Sequence, residues 1–257
     1  MSRIDFGRHS QDYADHRPGF PASFYQRLDG VIRLGGSRVL DLATGPGTIA
    51  LELGARGGSV VGIDRSAGQI ATATRLAKER GLDDRVRFRI ADAEHTGEDT
   101  GCFDLVTAGQ CWHWFDRGAA LEEIRRVLRP GGVLAIASYS YLAKISSVAR
   151  DTEDLILEFN PSWSMAGSSG IFPEQIDEVI QGGLTFVEGF CYQHDEVFSH
   201  VRWRGRMRTC NGVGSGGLSP PEVQRFDAAL EHLLTRKYPD PVVVEHGVWC
   251  VVARQPT

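Results

Sequence analysis

Short apolar runs alternate with stretches of helical periodicity over the first half of the chain. SRVLDL (37–42) reads as a strand, GTIALELGARG (47–57) as a helix and SVVGID (59–64) as a second strand. SAGQIATATRLAKERG (66–81) follows as a helix, with Ser66 as its N-cap and Gly81 as its stop. RVRFRIAD (85–92) alternates as a strand and FDLVTAG (103–109) is another. GAALEEIRRVLRPGG (118–132) reads as a helix closed by Pro130-Gly131-Gly132, and VLAIAS (133–138) as the next strand. Strands alternating with helices through short links predict a parallel sheet covered on both faces, a doubly wound α/β fold. An α+β fold with unrelated pairings is the competing arrangement.

The second half changes character. SVARDTEDLILEFN and FPEQIDEVIQGG read as helices, and TFVEGFCYQHDEVFS (185–199) as a strand. HVRWRGRMRTC (200–210) fits a helix better than a continued strand. NGVGSGGLSP reads as a flexible loop, because it is rich in glycine and has no period. PPEVQRFDAALEHLLTRKY starts with proline and carries an apolar stripe, as a helix does. PVVVEHGVWCVVARQP is a final β element with a bend near His246-Gly247. No internal repeat is visible, and no linker is long enough to separate independent domains. The expected organisation is a single domain: an N-terminal cap (1–36), a core (37–138), a lid insertion (139–218) and a C-terminal helix and strand (219–257).

Composition narrows the class without naming a function. The 257 residues contain 42% hydrophobic and 24% charged residues, as ordinary globular chains do. A net charge of -5 gives no nucleic-acid footprint. No apolar run approaches the roughly 20 residues of a membrane span, and the polar N-terminus has no signal-peptide core. A cytoplasmic protein, with no nucleic-acid or membrane partner and a monomeric or homodimeric state, is the expectation. The five cysteines (Cys102, Cys111, Cys191, Cys210 and Cys250) are scattered with no CxxC pair. That favours free thiols over a disulfide frame or a metal site.

Candidate chemistry collects where strand C-termini line up, the edge at which open α/β sheets bind ligands. Asp41-Leu42-Ala43-Thr44-Gly45-Pro46-Gly47 closes the first strand with an acid and a turn of small residues. Asp64 closes the second strand, and Ala91-Asp92-Ala93-Glu94 the third. A dinucleotide site would show GxGxxG, but here Gly45-x-Gly47 is followed by Ala50. Such a turn admits close backbone approach, and its carboxylate argues against a phosphate.

This set, in this order, resembles the class I S-adenosylmethionine (SAM)-dependent methyltransferases, with Ala43 in place of the more usual glycine. The resemblance covers roughly residues 7–138. It implies a Rossmann-like, mostly parallel seven-stranded sheet with an antiparallel C-terminal strand and a helical lid. It also implies SAM as cofactor and S-adenosylhomocysteine as product. SAM carries a sulfonium, an ammonium and a carboxylate but no phosphate. Asp41 would then favour the cationic methionyl end beside the turn of Ala43, Thr44, Gly45 and Gly47. Asp64 would grip the ribose hydroxyls, Asp92 the adenine amino group between Ala91 and Ala93, and Arg65 or Ile70 an adenine face. Helix capping is the plainer role for Asp64 and Asp92.

The fourth-strand segment FDLVTAGQCWHWFD brings Gln110, Trp112, His113 and Trp114 to the same edge. It is similar to the segment of small-molecule methyltransferases of the trans-aconitate and ubiquinone-biosynthesis kind. The opening GRHSQDYADHRPGFP, with Tyr13, Arg17, Pro18 and Pro21, resembles a segment that folds over the cofactor in the trans-aconitate-like group. Gln110, Trp112, Tyr13 and Arg17 are therefore further cofactor contacts. Core packing for Trp112 and Trp114, a packed histidine at His113, and plain helix surface for Tyr13 and Arg17 are the structural counterparts.

A methyl acceptor that is a carboxylate needs no base, whereas a hydroxyl or acidic carbon does. His113 and His16 are the candidates, His113 first, with His16 and Trp114 on the acceptor side. If 200–210 is helical, Arg202 and Arg206 share one face and Arg204 and Arg208 another. Arg204 and Arg206 beside Trp203 would clamp an acidic acceptor, although a solvated basic face accounts for the same run. The reading is a SAM-dependent methyltransferase acting on a small organic acid or natural-product intermediate. A nicotinamide-dependent oxidoreductase and a non-catalytic SAM-binding protein are its rivals.

Overall fold

The computed structural model describes residues 15–257. In chain order the elements are α1 (Ala22–Val31), β1 (Arg38–Leu42), α2 (Thr48–Ala55), β2 (Ser59–Asp64), α3 (Ala67–Glu79), β3 (Val86–Ile90) and β4 (Phe103–Gly109). A single 3-10 turn (Trp112–Trp114) precedes α4 (Arg117–Val127), β5 (Leu128–Tyr141), α5 (Ser147–Phe159) and α6 (Glu174–Gln181). The chain ends with β6 (Thr185–Phe198), α7 (His200–Arg208), α8 (Pro220–Lys237) and β7 (Val242–Arg254). These form two compact units. The larger comprises Gly19–Tyr139, Phe172–Tyr192 and Val248–Thr257; the smaller includes Ser140–Ile171 and Gln193–Gly247 together with residues 15–18.

One seven-stranded sheet runs in the order β3-β2-β1-β4-β5-β7-β6. β3, β2, β1, β4 and β5 are parallel neighbours. The backbone bonds Gln255 N to Gly132 O and Leu142 N to Glu245 O run opposite ways along the two strands, so β5 and β7 are antiparallel. The expected doubly wound sheet with antiparallel C-terminal strands is what forms. The chain steps outward from β1 to β3 and then returns to place β4 on the other side of β1. That reversal opens a crevice at the C-terminal ends of β1 and β4.

Both faces of the inner strands β1, β4, β5 and β7 are buried, which explains why they read as apolar runs. Val39, Leu105, Val133, Ala135, Val248 and Cys250 pack on one face with Phe24, Leu28 and Leu53. Their alternating neighbours Leu40, Val106, Leu134, Ile136, Trp249 and Val251 pack on the other with Leu121, Ile124 and Val179. Thus α1 and α2 cover one side, and α4 and α6 the other. The smaller unit has its own core around Trp203, where Ile156, Phe198, Met207, Phe226 and Leu230 meet.

Three sequence expectations change. The helix expected over 118–132 stops at Val127, and the strand expected from Val133 begins at Leu128. Proline disfavours helix in the residue before it. The register jumps from Phe103↔Leu128 to Leu105↔Val133, so Arg129–Gly132 bulge out of the ladder with Gly131 at φ 76°. The 211–218 segment is not loose. Val213 and Ser215 are buried, and Asn160 Nδ2 donates to Gly212 O while Trp163 Nε1 donates to Asn211 Oδ1. Its glycines are there for closeness: a Cβ at Gly214 would sit 2.1 Å from Arg208 O. The 200–208 segment is a helix, N-capped by Ser199. Elsewhere the local signals hold, with Ser66 Oγ accepting from Gln69 N and Gly81 at φ 64°.

Candidate active site

Asp41 lies one residue before the end of β1 with its side chain inward, 2% exposed. Thr107 Oγ1 from β4 donates to it at 2.6 Å and Thr44 Oγ1 at 2.5 Å, and the amide of Ala50 in the first turn of α2 adds a third bond. One carboxylate thus ties β1, β4, the turn and the start of α2 at the reversal point. Burial raises its pKa to about 6, against the pull of those three donors. Asp41 therefore acts from behind the turn.

The turn itself is sorted by which way each residue faces. Thr44 is buried and Gly47 closes the N-terminus of α2 at φ 84°, where a Cβ would strike Phe88 at 2.7 Å. Ala43 and Gly45 are half-buried with φ 46° and 57°. A Cβ on Gly45 would meet nothing within 4 Å, so the outer side of the turn is open. Ala43 holds a left-handed conformation that favours glycine, the physical meaning of the departure at this position.

Asp64 is half-buried at the end of β2. Its Oδ2 accepts from Gly45 N at 3.0 Å and its Oδ1 from Ser66 N at 2.8 Å. Capping and turn bracing are both real, and each oxygen keeps a lone pair for another donor. Burial raises its pKa and the two amides oppose that rise. Arg65 is exposed and Ile70 half-buried in the segment that follows. Ile90 at the end of β3 is 58% exposed, and after it Ala91 is half-buried, Asp92 exposed and Ala93 buried.

The segment after β4 is a braced platform. Gln110 has φ 63°, its amide donates to Ala137 O at 2.8 Å and its side chain donates to Tyr139 O. Gln110 is thus engaged with β5. Trp112 is an anchor rather than a pocket wall: it is 3% exposed, and its indole donates to Glu178 Oε2 at 2.7 Å. His113 and Trp114 are exposed and lie against each other with centroids 4.5 Å apart. Partial burial, then Arg117, lowers the His113 pKa and keeps the ring neutral near pH 7.

The remaining expected residues lie in the smaller unit. His16 packs against α7 where Gly205 leaves room, since a Cβ there would come within 2.2 Å of the ring. Arg17 is held by Thr209, Nε to Oγ1 at 3.0 Å and Nη2 to the carbonyl at 3.0 Å. Two expectations about the acceptor clamp are corrected. Trp203 is fully buried, bonded through Nε1 to Thr152 Oγ1 at 3.0 Å, and is core. Arg204 is bound by Asp227 and Glu231 of α8. The i,i+4 acids of α8 match the i,i+4 pair Arg204 and Arg208, and Arg208 also reaches Asp227 at 3.1 Å. Arg206 turns inward, its guanidinium 4.5 Å from the Tyr141 ring centroid. Tyr13 lies outside the described residues.

Sequence reasoning missed Thr107, Phe88 and Glu178, and named Glu94 only as part of the third strand-end segment, with no role. Thr107 left a trace, as the one hydroxyl inside the run FDLVTAG. Phe88 fills the space under both Gly47 and Gly62. Glu94 accepts from Asp116 N at 3.0 Å, and Glu178 sits on an ordinary amphipathic helix with no signal of its own.

A family profile described as "Methyltransferase domain" matches residues 40–136, wholly inside the larger unit. The chain is 30% identical over 216 residues to 27-O-demethylrifamycin SV methyltransferase of Amycolatopsis mediterranei, covering 79% of this chain and 74% of that protein. It is 45% identical over 105 residues to demethylmenaquinone methyltransferase of Thermus thermophilus, covering 40% of this chain and 47% of that one. The chain spans about half the length of the first curated relatives it matches. A solved geranyl diphosphate C-methyltransferase from Streptomyces coelicolor, in complex with Mg2+, geranyl diphosphate and S-adenosyl-L-homocysteine, superposes with a TM-score of 0.52 at 16% identity. That match covers 91% of this chain and 78% of the other. At that identity the likeness speaks for the fold alone.

Proposed function

The chain belongs to the class I SAM-dependent methyltransferases, and from that premise we propose that it transfers a methyl group from SAM to a small-molecule acceptor. The observation that carries the cofactor is the pairing of an open turn at Gly45 with a half-exposed carboxylate at Asp64, 3.0 Å from the Gly45 amide. Both Asp64 oxygens have capacity left for the two hydroxyls of a ribose. The fully buried carboxylate of Asp41 lies behind the same turn and favours a cationic ligand over a phosphate-bearing one. Ile90, Ala91 and Asp92 offer apolar surface and an acceptor for an adenine ring at the next strand end.

The sulfonium of the bound cofactor supplies an activated methyl group. The protein's share of the work is alignment and exclusion of water. His113, kept neutral, is placed to accept a proton from a hydroxyl or acidic carbon, while a carboxylate acceptor needs no such step. The exposed His113 and Trp114 rings, tilted at 48° to each other, offer aromatic surface to an acceptor.

Calorimetry with SAM and with NADH tests this reading, followed by mass spectrometry of SAM incubated with panels of acids, phenols and amines. SAM binding that is lost in Asp64→Ala is expected, with no response to NADH. Binding of NADH in place of SAM would turn the reading toward hydride transfer. SAM binding without methylated product across the panel would favour a sensor.

A further inference from the structure

The Trp112–Trp114 turn that follows β4 carries the exposed His113 and Trp114. A carboxylate from α6, distant in the chain, grips this turn. Glu178 sits on α6, and its two oxygens do separate jobs. Oε2 accepts the Trp112 indole at 2.7 Å, and Oε1 pairs with Arg117 in the first turn of α4. Trp112 precedes His113 and Arg117 follows Trp114 by three residues, so one carboxylate grips the segment from both ends. α6 is itself fixed to the sheet, because Trp249 Nε1 of β7 donates to the buried Gln175 Oε1 at 2.9 Å. Phe115 closes edge-on against Trp112 at 5.8 Å.

We propose that Glu178 is a positioning residue, which sets the placement and hydration of the His113–Trp114 pair without touching cofactor or acceptor. This rests on the methyl-transfer reading for its purpose but not for its measurement. A charge-assisted fork of this kind is stronger than a neutral hydrogen bond. It also fixes Arg117 near the imidazole, where that cation contributes to holding the ring neutral. The charged groups around the turn are Arg117 and Asp116 at the head of α4, Glu94 after β3 and Glu178 on α6. Of these, Glu178 alone bonds on both sides of His113.

The test follows the ring-proton resonances of His113 through a pH titration by NMR, assigned with His113→Asn. Wild type, Glu178→Ala, Glu178→Gln and Arg117→Ala are compared, and exchange of the Trp112 indole proton is recorded alongside. In Glu178→Ala the turn loses both grips and more of the ring meets water. The His113 midpoint then moves up toward the ordinary histidine value, and the indole proton exchanges faster. Glu178→Gln can still accept the indole proton, so it restores most of the indole protection and loses only the grip on Arg117. Arg117→Ala raises the midpoint by less than Glu178→Ala, since burial is the larger cause. An unchanged titration and unchanged indole exchange in Glu178→Ala, with the melting temperature retained, overturns the proposal. SAM calorimetry on the same proteins separates the two readings. Wild type that fails to bind SAM removes the catalytic purpose, whereas Glu178→Ala binding SAM as wild type does is the expected result for a residue outside the cofactor turn.

Discussion

Asp41 concentrates the electrostatic consequence of this site in a single side chain. Its folded pKa of about 6 lies above the ordinary carboxylate value of 3.8, because burial outweighs its three donors. Between those values the native state holds a proton that the unfolded chain has released. The stability this group contributes is fully present below pH 4 and is lost as pH rises through about 6, by roughly 3 kcal/mol. Asp41→Asn removes the titration, so the stability difference between wild type and variant, from urea unfolding at a series of pH values, should fall across that window and then level. Parallel curves would refute the assignment. A cationic ligand at the turn favours the carboxylate. SAM affinity should therefore rise as pH increases through 6 in wild type and stay flat in Asp41→Asn, as read by calorimetry. Ala43 is the second residue with a consequence. At φ 46° it sits where glycine is easier, so Ala43→Gly should leave stability unchanged or raise it by up to about 1 kcal/mol. A clear loss would mean that its methyl packing outweighs the backbone strain.

At the scale of elements, the site depends on how closely strands and helices approach one another. β2 passes the turn at Gly62, where a Cβ would lie 2.6 Å from the Phe88 ring and 2.9 Å from Thr44 Oγ1. A stiff ring and a hydroxyl already bonded to Asp41 have little room to give. Gly62→Ala should cost about 1–3 kcal/mol and weaken SAM binding with it. At Gly109 the nearest obstacle is only the tip of Ile49, at 2.2 Å. Gly109→Ala should cost less, and the reverse order in urea unfolding would show that the turn tolerates displacement. Local signals marked these elements well. Ser66, Asp116 and Ser146 each cap a helix through a side-chain oxygen that accepts from the N3 amide. RPGG after α4 resembles a helix stop followed by a loop, whereas β7 supplies partners that turn it into a bulged strand.

For the whole molecule, the larger unit contains Asp41, the turn at Gly45, Asp64 and the Ile90–Asp92 segment, together with the family match at 40–136. The smaller unit has its own aromatic core and its own buried guanidinium at Arg206. No helix among the described residues is long and apolar enough to cross a membrane. All five cysteines are free, and burial pushes the Cys111 thiol well up, with Asp41 and Asp64 adding to the effect. Cofactor binding to the native state alone should stabilise the full chain by about 2.7 kcal/mol at a hundredfold excess over Kd. The melting temperature should accordingly rise with SAM and not with NADH. An equal response to both would remove the distinction drawn from Asp41.

Strand and helix order, the caps and the acids at strand ends were determined by sequence alone. Each depends on side-chain period, backbone preference or a donor within a few residues, and such short-range physics is written locally. Tertiary structure decided which partner each side chain keeps. Asp41 meets Thr107 and Trp112 meets Glu178, each across 66 positions, and Arg204 meets Asp227 across 23. A carboxylate or guanidinium is neutralised by whatever charge the folded chain brings within a few ångströms. That distance is set by the packing of whole elements, so the buried place of Trp203, the Trp112–Glu178 bond and the pairing of Arg204 with α8 were decided only in three dimensions.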